Sequence, residues 1–290
     1  MKILLAGSGG QLAQELQPIL LSSGEVIAVD RTRLDLSKPE SIRQAMAEIQ
    51  PDLVVNAGAY TAVDKAESEP ELAQAVNGIA PGILAEECEK LGSTLIHIST
   101  DYVFDGSQGS PYLETDSTNP LGTYGKSKLM GEEAIRKAGN RHIIIRTAWV
   151  YGNGGKGNFV KTMLRLGKEK EEIRVVADQV GSPTWTGDLA AAISQINPRI
   201  QPETFGTYQY TNSGVCSWYD FAIAIFEEAE KLGFPLKVKR VVPITTSEYP
   251  TPAKRPAFSV LSSVKISALL GTHPPHWRQG LRQMLAREVK

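Results

Sequence analysis

Five short apolar runs recur through the first half of the chain at helix-length spacing: ILLA (residues 3–6), EVIAVD (25–30), DLVVNAG (52–58), TLIHIST (94–100) and HIIIRT (142–147). A short run that is apolar on both faces has no side to turn to water, so it fits a sheet covered above and below. The stretches between the runs are long enough for helices, which supply that cover and return the chain to begin a parallel strand. The pattern therefore predicts an α/β fold built on a doubly wound parallel sheet. After about residue 151 the alternation loosens and prolines gather at Pro243, Pro250, Pro252 and Pro256, with a helix predicted over WYDFAIAIFEEAEKLG (218–233). Two units are expected, 1–150 and a smaller C-terminal lobe, 151–290, with some later segments returning to the first.

Composition excludes several partners. Among 290 residues the formal net charge is -1, which supplies no field to gather nucleic acid or an anionic membrane. Two cysteines, Cys88 and Cys216, make no disulfide framework and fit a reducing compartment. The opening MKILLAGSGGQ is too short in apolar length for a signal peptide, and no later stretch reaches membrane-spanning length. A cytoplasmic protein without a membrane or nucleic-acid partner is expected.

GSGGQLA (7–13) follows the first predicted strand and opens a helix. Glycines there let backbone N–H groups approach a pyrophosphate at a positive helix end, which makes Gly7, Gly9, Gly10, Gln11 and Leu12 candidates for dinucleotide binding. A tight turn without a ligand has the same spacing. Asp30, about 20 residues on at the end of the second run, favours the dinucleotide, because a carboxylate there accepts from ribose hydroxyls. The unit 1–150 is thus read as a Rossmann-type dinucleotide-binding domain and 151–290 as a substrate-binding lobe. Asp30 would repel a 2′-phosphate while Arg31 and Arg33 would pair with one, so NADPH and NADH stay open. Asp35 and Leu36 are candidates for the adenine end, or else DLS is a helix cap in which Ser37 serves the helix begun at Pro39.

In PLGTYGKSKLMGEE (120–133), Tyr124 and Lys128 are four apart on a predicted helix and share one face. A lysine beside a phenol stabilises the phenolate and brings its pKa toward a value useful for proton transfer. A solvated helical face gives the same pair. TLIHIST runs into Thr100, Asp101 and Tyr102, which puts hydroxyls and a carboxylate at the carboxyl end of a strand, where open α/β sheets bind ligands. Arg255 beside Lys254 suits a sugar-nucleotide diphosphate or a structural ion pair. DQVGSPTWTGDLA (178–190) reads as a loop and a capped helix. His273 and His276 in HPPH lack helical spacing and companions for a metal, and His97 in its strand reads as packed or hydrogen-bonded.

NAGAYTAVDKAE (56–67), STDYVFDG (99–106), YGKSK (124–128), RTAWVYG (146–152) and DQVGSPT (178–184) follow the glycine turn in order. With them the chain resembles the extended short-chain dehydrogenase/reductases over nearly its whole length, and among these the nucleotide-sugar reductases. The resemblance implies an oxidoreductase that reduces the C4 keto group of dTDP-4-dehydro-β-L-rhamnose with NADPH or NADH. It implies Tyr124 as proton donor, Lys128 as the residue that lowers the phenol's pKa and holds the nicotinamide ribose, and Thr100 at the carbonyl oxygen. It further implies Gly58, Ala59 and Tyr60 along the dinucleotide, and Thr100, Asp101, Tyr102 and Trp149 near the dTDP-sugar. Two positions depart from the family pattern: Ala13 where glycine is usual, and Gly58 where alanine is common. Some members are homodimers that hold a divalent ion such as Mg2+ at the contact. Glu15 matches one ligand position, without the full set, and an exposed helix glutamate is the simpler reading. A non-catalytic relative serves as regulatory subunit of methionine adenosyltransferase, and epimerases and dehydratases share the superfamily. The Tyr124, Lys128 and Thr100 set speaks for catalysis, and Asp101-Tyr102 lacks the Asp-Glu pair of a dehydratase.

Overall fold

The computed structural model describes residues 1–289. Its central sheet has six parallel strands: β1 (Lys2–Ala6), β2 (Glu25–Val29), β3 (Leu53–Asn56), β4 (Thr94–Thr100), β5 (His142–Thr147) and β6 (Gly206–Gln209). The order across the sheet is β6-β5-β4-β3-β1-β2. All five apolar runs are strands, and the sixth strand, GTYQ, comes from the second half of the chain. Its polar alternation hides it from a search for doubly apolar runs, since an edge strand needs fewer apolar residues. β4 and β5 run level from Leu95↔His142 to Thr100↔Thr147, so two threonines end side by side at the carboxyl edge.

The longer helices are α1 (Gln11–Leu20), α2 (Pro39–Ile49), α3 (Ala80–Leu91), α4 (Thr123–Ala138), α5 (Phe159–Glu169), α6 (Thr186–Ile196), α7 (Trp218–Lys231) and α8 (Trp277–Glu288). Strand side chains alternate between faces, and the sheet sorts them accordingly. Ile3, Leu5, Val55 and Ile145 pack against α1 and α6. Leu4, Val54 and Ile144 pack on the other face against α2 and α3. Full burial of each such side chain is worth roughly 1.5–3 kcal/mol, which is why both faces must be covered. A separate core joins α5, α7 and α8 through Tyr151, Val160, Phe221, Ile225, Leu281 and Leu285.

Helix ends explain the local boundaries. Ser217 caps α7, its hydroxyl accepting from Asp220 N at 3.0 Å while the Asp220 carboxylate accepts from Ser217 N at 2.9 Å. The cap expected at Ser37 is not formed. Lys38 is the N-cap of α2 and makes no side-chain cap bond. Ser37 instead donates its hydroxyl to Asp35 Oδ1 at 2.7 Å, because an aspartate two residues back offers a closed local turn. At α4 the free amide of Thr123 donates to Glu67 Oε1 at 2.7 Å, so the AVDKAE segment fixes the start of the helix carrying Tyr124 and Lys128. Gly125 lets that helix close on the end of β4, since any Cβ there would strike the Tyr102 carbonyl. No helix among the described residues is long and apolar enough to cross a membrane.

Candidate active site

A cleft of about 1040 Å³ opens along the carboxyl edge of the sheet, between β1 and β5 and beneath the segment that follows β5. Its two ends are built differently. At the first, the turn after β1 meets the turn after β3: Gly7 has φ 83, and a Cβ on it would lie 2.6 Å from Gly58 Cα. Left-handed backbone and close approach together require glycine. Gly7 N and Ser8 N both donate to Val29 O, at 3.0 and 3.1 Å, so a phosphate at this turn would meet the positive N-terminus of α1 rather than these amides. Asp30 is exposed at the rim. Its Oδ1 accepts from Thr32 N at 2.9 Å and from the Thr32 hydroxyl at 2.6 Å, and those bonds hold the carboxyl below its usual range.

The other end is made of buried side chains. The Thr100 hydroxyl donates to Asp101 Oδ1 at 3.0 Å and accepts from Tyr102 N at 3.2 Å. Asp101 is 2% exposed. Burial pushes its carboxyl up to about 6, and its Oδ2 has no hydrogen-bond partner. Thr147 Oγ1, level with Thr100 across the strand pair, is likewise buried and unpartnered. Tyr124 shows part of its ring to the cleft and meets Tyr102 edge-on at 5.5 Å between centroids. Its phenol lies deep enough that burial pushes it up to about 12, with the nearby Thr100 hydroxyl acting the other way.

Lys128 departs from its expected posture. It is 2% exposed, and its Nζ donates to Ile98 O at 2.6 Å and lies 3.3 Å from His97 Nε2. Burial pulls it down to about 8, with Glu132 acting the other way. Among the described residues no hydrogen bond joins Lys128 to Tyr124, and the phenol's rise has burial as its cause with no relief from the lysine. Beneath the pair, Glu132 is fully buried. Its Oε1 accepts from Ser99 at 2.6 Å and Arg146 Nε at 2.9 Å, and its Oε2 from Arg146 Nη2 at 2.7 Å and Arg136 at 2.6 Å. Burial alone would raise this carboxyl, and the arginine and serine bonds overrule it, holding it low.

Of the residues singled out in the sequence, Gly7, Gly9, Gly10, Gln11, Leu12, Asp30, Gly58, Ala59, Thr100, Asp101, Tyr102, Tyr124, Lys128 and Trp149 line this one cleft. Four do not. Asp35 is held by Ser37 and lies 3.5 Å from Arg31. Leu36 packs behind Gly58. Tyr60 points away, its hydroxyl donating to Glu69 at 2.8 Å. Arg255 pairs with Asp64 at 2.8 Å and bonds Thr251 and Ala253, the structural alternative for that residue. Glu15 is bound by Arg287 at 2.9 Å.

The lining also contains residues that the pattern reading passed over. Gly155, Lys156, Gly157 and Asn158 overhang Gln11, whose Oε1 accepts from Asn158 Nδ2 at 2.7 Å. The repeated glycines of GNGGKGN were the available signal. Trp149 has φ 48, an uncommon backbone for a bulky residue, and stacks on Trp218 with centroids 3.5 Å apart. The stack leaves Trp149 at the cleft wall between the sheet and the second core.

Comparison with known proteins agrees with this geometry. The family model described as "RmlD substrate binding domain" matches residues 1–289. A dTDP-4-dehydrorhamnose reductase of Burkholderia thailandensis is 45% identical over 286 residues, covering 96% of each chain. The crystal structure of a dTDP-4-dehydrorhamnose reductase from Clostridium acetobutylicum superposes with a TM-score of 0.93 at 40% identity, over 100% of both chains. A Bacillus anthracis dTDP-4-dehydrorhamnose reductase, solved in complex with NADP, gives 0.91 at 38% identity over 99% of each. The fold, the cleft and these similarities run over the same chain, which belongs to the RmlD family of dTDP-4-dehydrorhamnose reductases.

Proposed function

We propose that this oxidoreductase reduces the C4 keto group of dTDP-4-dehydro-β-L-rhamnose to give dTDP-L-rhamnose. The observation that carries the reading is the single cleft, in which a glycine turn fit for a dinucleotide lies at one end and Thr100 with Tyr124 at the other. Bound NADPH or NADH supplies the hydride. The glycine contact of Gly7 with Gly58 makes a cradle that a Cβ would fill, and α1 presents its N-terminus there. Asp30 and Arg31 sit together at the rim, so a ribose hydroxyl and a 2′-phosphate each find a partner, and both nicotinamide forms are accommodated.

Tyr124 acts as general acid. A phenol raised to about 12 keeps its proton at neutral pH and releases it only when negative charge gathers on the C4 oxygen. Thr100 turns its hydroxyl from Asp101 to that oxygen and stabilises the same charge. Lys128, which donates to Ile98 O, would hold the nicotinamide ribose when the cofactor is bound. Trp149, Asp101 and Tyr102 bound the space left for the sugar. In this reading residues 1–150 hold the dinucleotide and also carry the named sugar-side residues, while 151–289 close the cleft with Gly155 to Asn158 and Leu189 and return β6 to the sheet.

The test is direct: NADPH or NADH absorbance is followed on addition of the dTDP-4-keto sugar, and the product is identified as dTDP-L-rhamnose. A chain that binds cofactor and turns over no dTDP-4-keto sugar would overturn the proposal in favour of a binding role. Turnover without net oxidation would point to an epimerase.

A further inference from the structure

Behind Lys128 lies a buried chain of polar groups that the reaction above does not use. Asn56 and His97 are both 0% exposed. Gly58 N donates to Asn56 Oδ1 at 3.2 Å, Asn56 Nδ2 faces His97 Nδ1 at 3.1 Å, and His97 Nε2 faces Lys128 Nζ at 3.3 Å. Lys128 also donates to Ile98 O. The first link fixes the rest. A backbone N–H is only a donor, so the Asn56 atom that meets it must be the oxygen, and the amide NH2 is then turned to His97. A donor facing Nδ1 requires that nitrogen to be the bare acceptor. A neutral imidazole carries one proton, which must then be on Nε2 and point at Lys128. An ammonium has no lone pair to receive it, whereas an amine does.

We propose that Asn56 and His97 are positioning residues which, reading from the Gly58 amide, hold His97 as its Nε2–H tautomer and so favour the neutral amine of Lys128 in the cofactor-free protein. The cradle at the glycine end and the lysine at the catalytic end are thereby joined by three hydrogen bonds. A ligand that moves Gly58, or that offers Lys128 an acceptor, resets the proton on the lysine. The groups acting on Lys128 fit this. Full burial drives His97 well below its ordinary range, so it stays neutral. From α4 itself the charged neighbour is Glu132, which Arg146 of β5 and Arg136 already neutralise. From β4 the titratable contact is His97.

The role in catalysis rests on the reductase reading, but the tautomer does not, and it is measured first. In the full-length protein without cofactor, 15N NMR of labelled histidine is expected to show a bare Nδ1 and a protonated Nε2 for His97. A proton on Nδ1, or an imidazolium, would overturn the proposal whatever the enzyme does. The second measurement is the pH profile of kcat/KM, which falls as pH rises through the value at which Lys128 loses its proton. His97→Gln can keep the order of donors and acceptors and should leave that limb in place. His97→Met removes the donor facing the lysine and should move the limb up by about one pH unit. Equal limbs in the two variants would overturn the proposal. If the NMR result holds and no reductase activity is found, the function falls and the hydrogen-bond chain stands.

Discussion

The two ends of the cleft solve different problems. At the Gly7 end the structure is backbone: a left-handed glycine, a second glycine against it, and a helix N-terminus, all close to solvent. At the Tyr124 end it is side chains: Thr100, Asp101, Lys128, His97 and Glu132 are each at most 5% exposed. A pyrophosphate is already charged when it arrives and needs only donors and room. A carbonyl oxygen becomes charged during the reaction, so its partners must be preset in a low-dielectric site, where their interactions are strongest. The consequence is that the first end should be sensitive to volume and the second to proton placement.

Four substitutions break or sharpen that contrast. Glu132→Ala leaves Arg146, 2% exposed, without its carboxylate, and should destabilise the protein by about 3–5 kcal/mol, read by denaturant unfolding. Tyr124→Phe should cost on the order of 10²-fold in kcat with cofactor affinity unchanged; near-normal turnover would mean that the proton comes from another group.

Asp101→Asn tests the cost of a buried carboxyl. With a folded value near 6 above an ordinary value near 4, the acid form is favoured by folding, so its contribution is full below pH 4 and is lost as pH rises through 6. The asparagine protein should lack that fall and gain about 3 kcal/mol over the parent at pH 7, seen as a higher Tm. A stability difference between the parent and the asparagine protein that is the same at pH 4 and pH 7 would show that Asp101 is not perturbed. Gly7→Ala, at the other end, should cost about 1–2 kcal/mol in stability and weaken cofactor binding roughly tenfold, with kcat at saturating cofactor little changed. If instead kcat falls while affinity holds, the division between the ends is wrong.

The sequence made the first end legible. Gly7, Gly10 and Asp30 stand at fixed places relative to a strand, and the rule linking them to a ligand is local. It was less informative at the second. Helical spacing placed Tyr124 and Lys128 on one face and suggested that the lysine acts on the phenol, yet Lys128 turns to His97 and Ile98. No local rule reports that choice, because its partners lie 30 and 31 residues away on β4. Arg255 and Tyr60 show the same limit: each has the right chemistry for a phosphate or a ribose, and each is taken by a carboxylate, Asp64 or Glu69. The Lys156 loop was missed because the helix it opens, Phe159–Glu169 capped by Asn158, was not picked out from the sequence, so its glycines read as plain connection.

By itself the sequence determined five of the six strands, because short runs apolar on both faces fit a sheet covered above and below, and it determined the glycine turn, because backbone freedom belongs to a residue type; the edge strand GTYQ came only with the tertiary structure. Tertiary structure alone decided which polar groups meet. It set Asn56, His97 and Lys128 in line, put Glu132 under Arg146, and left Asp101 Oδ2 and Thr147 Oγ1 without partners at the cleft. A hydrogen bond depends on position to within a fraction of an ångström, and that position is fixed only when the strands on either side have packed.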